Sequence, residues 1–285
     1  MKILITGALG QLGQALRRQL EDTNHEVWYT DRAELDLTSS DAVNTFVAQK
    51  RPTAIINCAA YTAVDKAEED AEVAQAINED AVRVLAKAAN DVGAHLVHVS
   101  TDYVYHNGLD RPLREDDPTS PKSVYARTKL AGEQAALSAC AKTTVVRTSW
   151  VYGLEGHNFV RTMARLGAER DSLNVVSDQI GAPTFANDLA AACLQILQLG
   201  ASCYGETYNY AGLGTASWYD FARAIMRMHD LNCAVEPIPS SDYPTPAARP
   251  TYSVLDLTKA RDLGLSLRHW RDALADFARL DATRD

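Results

Sequence analysis

Lys2-Ile3-Leu4-Ile5-Thr6, followed by Gly7-Ala8-Leu9-Gly10-Gln11-Leu12-Gly13 and then Gln14 to Leu20, decides the fold. A short apolar run, a turn with glycine at every third position and a segment of helical periodicity read as strand, tight turn and helix. Glycines let the backbone turn sharply and come close to a pyrophosphate, whose charge then sits at the positive end of the helix dipole. A second strand, Glu26 to Thr30, ends in Asp31-Arg32, about twenty positions after the glycines. An acid there suits a ribose hydroxyl and an arginine suits a 2′-phosphate, so NADH and NADPH both remain open.

Working outward, strand and helix signals alternate. Ala54 to Cys58 reads as a strand, Asp70 to Val92 as one long helix, and His95 to Ser100 as another strand. This alternation predicts an α/β fold, a doubly wound parallel sheet with helices on both faces. In such sheets ligands gather beyond the carboxyl ends of the strands, where Ala59, Ala60, Tyr61 and Thr62 follow one strand and Thr101 ends another. A charged, proline-containing stretch, Tyr103 to Lys122, then reads as a surface loop leading to Tyr125-Ala126-Arg127-Thr128-Lys129. On a helix, four-residue spacing stacks the phenol and the ammonium on one face. A nearby lysine cation lowers a tyrosine pKa, so the pair is expected to give and take a proton near neutral pH.

The composition excludes some classes. A formal net charge of -9 disfavours nucleic-acid and anionic-membrane partners. The five cysteines, Cys58, Cys140, Cys193, Cys203 and Cys233, include no Cys-x-x-Cys pair, which suits a reducing compartment. The immediate start on a strand and the want of a long apolar segment predict neither a signal peptide nor a membrane span, hence a cytoplasmic protein.

The motifs together are specific. Gly-x-x-Gly-x-x-Gly from Gly7 to Gly13, Asn57 to Glu68, Ser100 to Val104, Tyr125 to Lys129, Arg147 to Gly153 and Gln179 to Thr184 resemble the dTDP-4-dehydrorhamnose reductases, extended short-chain dehydrogenases/reductases. The resemblance implies a Rossmann-type NAD(P)-binding domain over residues 1–150 and a smaller C-terminal α/β substrate lobe over 151–285, interleaved with it. It implies reduction of the 4-keto group of dTDP-6-deoxy-L-lyxo-4-hexulose to dTDP-L-rhamnose, a nucleotide sugar for lipopolysaccharide or O-antigen. Tyr125 would then donate the proton, Lys129 would hold the nicotinamide ribose and Thr101 would orient the carbonyl. Gly7, Gly10, Gln11 and Leu12 would line the pyrophosphate, Asp31 and Arg32 the adenosine ribose, and Asp36 and Leu37 the adenine. Ala59, Ala60 and Tyr61 would flank ribose and diphosphate. Thr62, Val64, Tyr103 and Trp150 would form the sugar pocket, although Trp150 equally fits a core aromatic. Arg249, in a loop punctuated by Pro237, Pro239, Pro244, Pro246 and Pro250, would face the diphosphate or simply be solvated.

Some relatives in that family resemble magnesium-bridged dimers, with a carboxylate just after the glycine motif. Here that helix reads Gly13-Gln14-Ala15-Leu16, so no metal requirement is expected, and a monomer or homodimer is. The superfamily also holds nucleotide-sugar epimerases, 6-deoxytalose-forming 4-ketoreductases and an NADP-binding regulatory subunit of methionine adenosyltransferase. Dehydratases place Asp-Glu after the threonine, whereas Thr101-Asp102 is followed here by Tyr103.

Overall fold

The computed structural model describes residues 1–283. Its first part alternates β1 (Lys2–Thr6), α1 (Gln11–Leu20), β2 (Glu26–Thr30), α2 (Ser40–Lys50) and β3 (Ala54–Asn57). There follow α3 (Ala71–Gln75), α4 (Ala81–Val92), β4 (His95–Thr101), α5 (Val124–Ala139) and β5 (Thr143–Thr148). Next come β6 (Val151–Tyr152), α6 (Phe159–Glu169), β7 (Ser172–Val176), β8 (Ile180–Gly181), β9 (Thr184–Phe185) and α7 (Ala186–Leu199). The chain closes with β10 (Glu206–Asn209), β11 (Ala216–Ser217), α8 (Trp218–Met228), β12 (Ala234–Ile238), α9 (Thr258–Asp262) and α10 (Trp270–Asp281).

Six parallel strands form one sheet in the order β10-β5-β4-β3-β1-β2. The strand alternation places Ile3, Ile5, Ile56 and Val97 on one face, against α1 and α7. Leu4, Ile55 and Leu96 face the other way, against α2 and α4. A parallel sheet covered on both sides needs apolar residues at both parities, which is why these strands read as near-continuous apolar runs. The order reverses at β1, with β2 on one flank and β3 on the other, so a crevice opens beyond their carboxyl ends. A second core, built from α6, α8 and α10 around Tyr152, Phe221, Trp270 and Phe277, sits beside it.

Two local expectations are corrected. The single helix expected over Asp70 to Val92 is interrupted by a π-turn at Ala76–Asp80. The stretch containing Pro237 is a strand, β12, paired with β7. It is an edge strand, so Pro237 can turn its donorless side outward. Among the described residues no helix is long and apolar enough to cross a membrane.

Candidate active site

The crevice is a cavity of about 1080 Å³ bordered by the glycine turn at one end and by Tyr125, Trp150 and Trp218 at the other. At the glycine end, Gly7 has φ +65°, and a Cβ there would stand 2.7 Å from the Ala59 nitrogen. The turn after β1 thus touches the turn after β3, and only glycine permits it. Gly10 precedes α1 without any side-chain cap, so the first N–H groups of that helix are left for an anion. The buried Gln11 Oε1 has no partner in the protein. Asp31 accepts from the backbone of Leu9 at 3.0 Å and of Arg32 at 2.9 Å, pinning the turn to the end of β2. The Arg32 side chain is 87% exposed and reaches only toward Asp36 at 3.9 Å. These features fit a pyridine dinucleotide, with Arg32 the cation available to a 2′-phosphate.

The chemical end is built on α5. Ser123 caps that helix by accepting from Ala126, and Glu68 accepts from the Val124 N–H. Tyr125 therefore sits in the first turn and Lys129 in the next. Gly132 lies so close to the π-turn that a Cβ would stand 2.0 Å from the Asn78 carbonyl oxygen. Asn78 is fully buried; its side chain accepts from Tyr61 N at 2.8 Å and donates to Tyr61 O and to Thr128 Oγ1. One amide thereby ties the turn after β3 to the helix carrying Tyr125 and Lys129.

Lys129 is 2% exposed and donates from Nζ to the Val99 carbonyl at 2.7 Å. Burial pulls its pKa down to about 8, with Glu133 and Cys58 pulling the other way. Tyr125 overturns the sequence expectation: its phenol is pushed up to about 12, chiefly by burial, and the Asp102 charge adds to that. The Thr101 hydroxyl pulls the other way, whereas Lys129 contributes no resolved effect. With its ammonium turned to the β4 backbone, Lys129 does not acidify the phenol in the protein alone. Asp102 itself is 2% exposed and pushed up to about 7 by burial, against hydrogen bonds from Ser253 and from Thr101, which donates to Oδ1 at 3.1 Å.

Most residues singled out from sequence border one cavity: Gly7, Gly10, Gln11, Leu12, Asp31, Arg32, Asp36, Leu37, Ala59, Ala60, Thr62, Val64, Thr101, Tyr103, Tyr125, Lys129 and Trp150. Tyr61 and Arg249 do not. Tyr61 turns its hydroxyl to Asp70 at 2.8 Å. Arg249 forms a bidentate pair with Asp65, at 3.0 and 2.7 Å, and meets the hydroxyl of Tyr103, which does border the cavity. Sequence reading missed Asp102, Asn78 and Trp218. Trp218 lies inside a Ser217–Asp220 capping box, a signal that marks a helix start without telling which way the indole points. Among the described residues no group of three or more His, Cys, Asp or Glu is arranged to hold a metal ion.

Residues 1–282 match the family model described as the RmlD substrate binding domain. The dTDP-4-dehydrorhamnose reductase of Mycolicibacterium smegmatis is 45% identical over 280 residues, which cover 96% of this chain and 84% of that one. A crystal structure of a dTDP-4-dehydrorhamnose reductase from Clostridium acetobutylicum superposes with a TM-score of 0.95 at 44% identity, covering 98% of this chain and 99% of that one. The Bacillus anthracis dTDP-4-dehydrorhamnose reductase, solved in complex with NADP, gives a TM-score of 0.93 at 38% identity, covering 97% and 99% of the two chains.

Proposed function

The chain belongs to the family of the RmlD substrate binding domain, and from that premise we propose that it is a dTDP-4-dehydrorhamnose reductase. It reduces the 4-keto group of dTDP-6-deoxy-L-lyxo-4-hexulose to dTDP-L-rhamnose with NADPH. The observation that carries this reading is the meeting of Thr101, Tyr125 and Lys129 on the same cavity as the glycine turn.

Gly7, Gly10, Gln11 and Leu12 would hold NADPH, with Arg32 for its 2′-phosphate, and the cofactor would supply the hydride for the carbonyl carbon. Tyr125 gives its phenolic proton to the carbonyl oxygen. A phenol held near 12 is fully protonated at neutral pH, and it is still a stronger acid than the alcohol being formed. Thr101, directly beside it, fixes the carbonyl oxygen by a second hydrogen bond once its hydroxyl turns from Asp102. Lys129, anchored on the Val99 carbonyl, keeps two N–H donors for a ribose. The sugar lies against Val64 and Trp150, with Thr62 and Tyr103 for its hydroxyls. Arg249 reaches the diphosphate only by exchanging Asp65 for it.

The formal charge of -9 disfavours nucleic acid and anionic membranes as partners, and we read the chain as a cytoplasmic monomer or homodimer acting on a free nucleotide sugar. The test is to supply the enzymatically made keto-sugar and NADPH and to identify the product by mass and NMR. dTDP-L-rhamnose is expected. A product epimeric at carbon 4 would make the chain a 6-deoxytalose-forming reductase, and no net oxidation of NADPH would favour an epimerase or a binding subunit.

A further inference from the structure

Trp150 is the one aromatic residue among the three described non-glycine residues at positive φ, with φ +47°. A bulky residue is rarely held in that region and persists only where its surroundings enforce it. Three contacts do so. Its carbonyl accepts from Thr184 N at 3.2 Å. Its ring stacks on Trp218 with centroids 3.6 Å apart and planes 10° from parallel. Its edge fills the space over Gly181, where a Cβ would stand 2.7 Å from Cε2 and 3.0 Å from Nε1.

Trp218 is itself fixed. Phe159 packs on it at 4.7 Å, and its Nε1 donates to Gln179 Oε1 at 3.2 Å. The Gln179 amide donates in turn to Ser240 Oγ at 3.0 Å, and Ser240 donates from Oγ and N to Asp178. Both indoles border the cavity that Val64 and Tyr125 also line. We infer that Trp218, oriented by Gln179, is a specificity-determining residue that stacks on Trp150 to form the apolar wall for a 6-deoxy sugar ring.

The inference rests on the reductase reading above and deepens it at the sugar end. Stacked rings resist displacement, and the Trp218 N–H is already committed to Gln179 while the Trp150 N–H edge lies on the Gly181 side. The wall therefore offers carbon to the sugar. A methyl at carbon 6 is accommodated, and a hydroxymethyl would bury an oxygen without a partner.

The test uses the full chain as Trp218→Ala, Trp218→Phe and Gly181→Ala. Circular dichroism reads the stacked indoles through their exciton couplet, which all three variants should lose, Gly181→Ala because its new methyl displaces the Trp150 ring. Calorimetry then compares dTDP-L-rhamnose with dTDP. Apolar surface in such a pocket is worth roughly 10–200-fold in discrimination, so Trp218→Ala should weaken dTDP-L-rhamnose by roughly tenfold or more and leave dTDP and NADPH unchanged. Trp218→Phe keeps an apolar ring at the start of α8 and should recover part of that loss; it also decides the matter if the alanine variant fails to fold. In turnover the loss should fall on KM for the keto-sugar more than on kcat. Equal losses for dTDP and dTDP-L-rhamnose, or no loss for either, would overturn the inference. If dTDP-L-rhamnose alone weakens but the parent oxidises no NADPH with the keto-sugar, the reductase reading fails and the wall stands. Parental turnover with no differential loss would keep the reductase and remove the wall.

Discussion

Replacing Glu133 with alanine strands a guanidinium in the interior. Glu133 is 2% exposed and accepts from Arg147 Nε at 3.0 Å and Nη2 at 2.7 Å, and Ser100 donates to the same carboxylate. Arg147 continues to the Tyr105 hydroxyl and the Glu115 carbonyl, so α5, β4, β5 and the loop before α5 share one buried network. Removing one partner of a buried pair leaves the other charge uncompensated and costs about 3–5 kcal/mol. Removing both should cost far less, because an apolar pair of similar volume is often neutral or better than a buried ion pair. Urea unfolding followed by tryptophan fluorescence should therefore show a large loss for Glu133→Ala and a recovery in Glu133→Leu combined with Arg147→Met. A functional readout comes with it, because Glu133 lies one turn beyond Lys129 and its charge opposes the burial that lowers that lysine. Glu133→Gln should move the alkaline limb of kcat/KM below the region near 8. A stability loss under about 1 kcal/mol for Glu133→Ala, or a double variant as unstable as the single one, would refute the reasoning.

Tyr125→Phe should lower kcat by roughly 10²–10⁴-fold with NADPH affinity unchanged, and turnover at the parental rate would remove Tyr125 as the acid. Arg32→Ala should raise KM for NADPH more than for NADH, and equal effects would show that Arg32 does not read the phosphate. Asp102 has its folded pKa raised from 3.8 to about 7, so its favourable contribution is complete below about 4 and is lost as pH rises toward 7. At about 1.4 kcal/mol per pH unit the full cost is at most about 4 kcal/mol. Asp102→Asn should accordingly gain stability over the parent at pH 8 relative to pH 4, and a pH-independent difference would contradict a buried ionised carboxylate.

Sequence was most legible where chemistry is local. Gly7 announces its turn because a positive φ and a close neighbour both demand glycine, and the Ile3 to Ile5 run announces a strand buried on both faces. Thr143 to Thr148 is a central strand that its residues hide: all six are buried, yet four are polar. Their polarity is satisfied from afar, Thr144 by the Cys203 carbonyl and Arg147 by Glu133, partners no local pattern encodes. The same holds at the site. Tyr125 and Lys129 were legible as a spacing, but the direction of the Tyr125 pKa depended on burial and on Asp102. Trp218 and Asn78 gain their places from contacts with Trp150 and with Tyr61 and Thr128.

The central claim, a net reduction with Tyr125 as acid, is met most directly by counting. The parent protein and Tyr125→Phe are given the same limiting amount of keto-sugar with excess NADPH, and loss of the nicotinamide absorbance is set against dTDP-L-rhamnose formed. One NADPH consumed for each dTDP-L-rhamnose by the parent, and almost none by the variant over the same interval, is the predicted result. Sugar converted without consumption of NADPH, or equal consumption by both proteins, would contradict it.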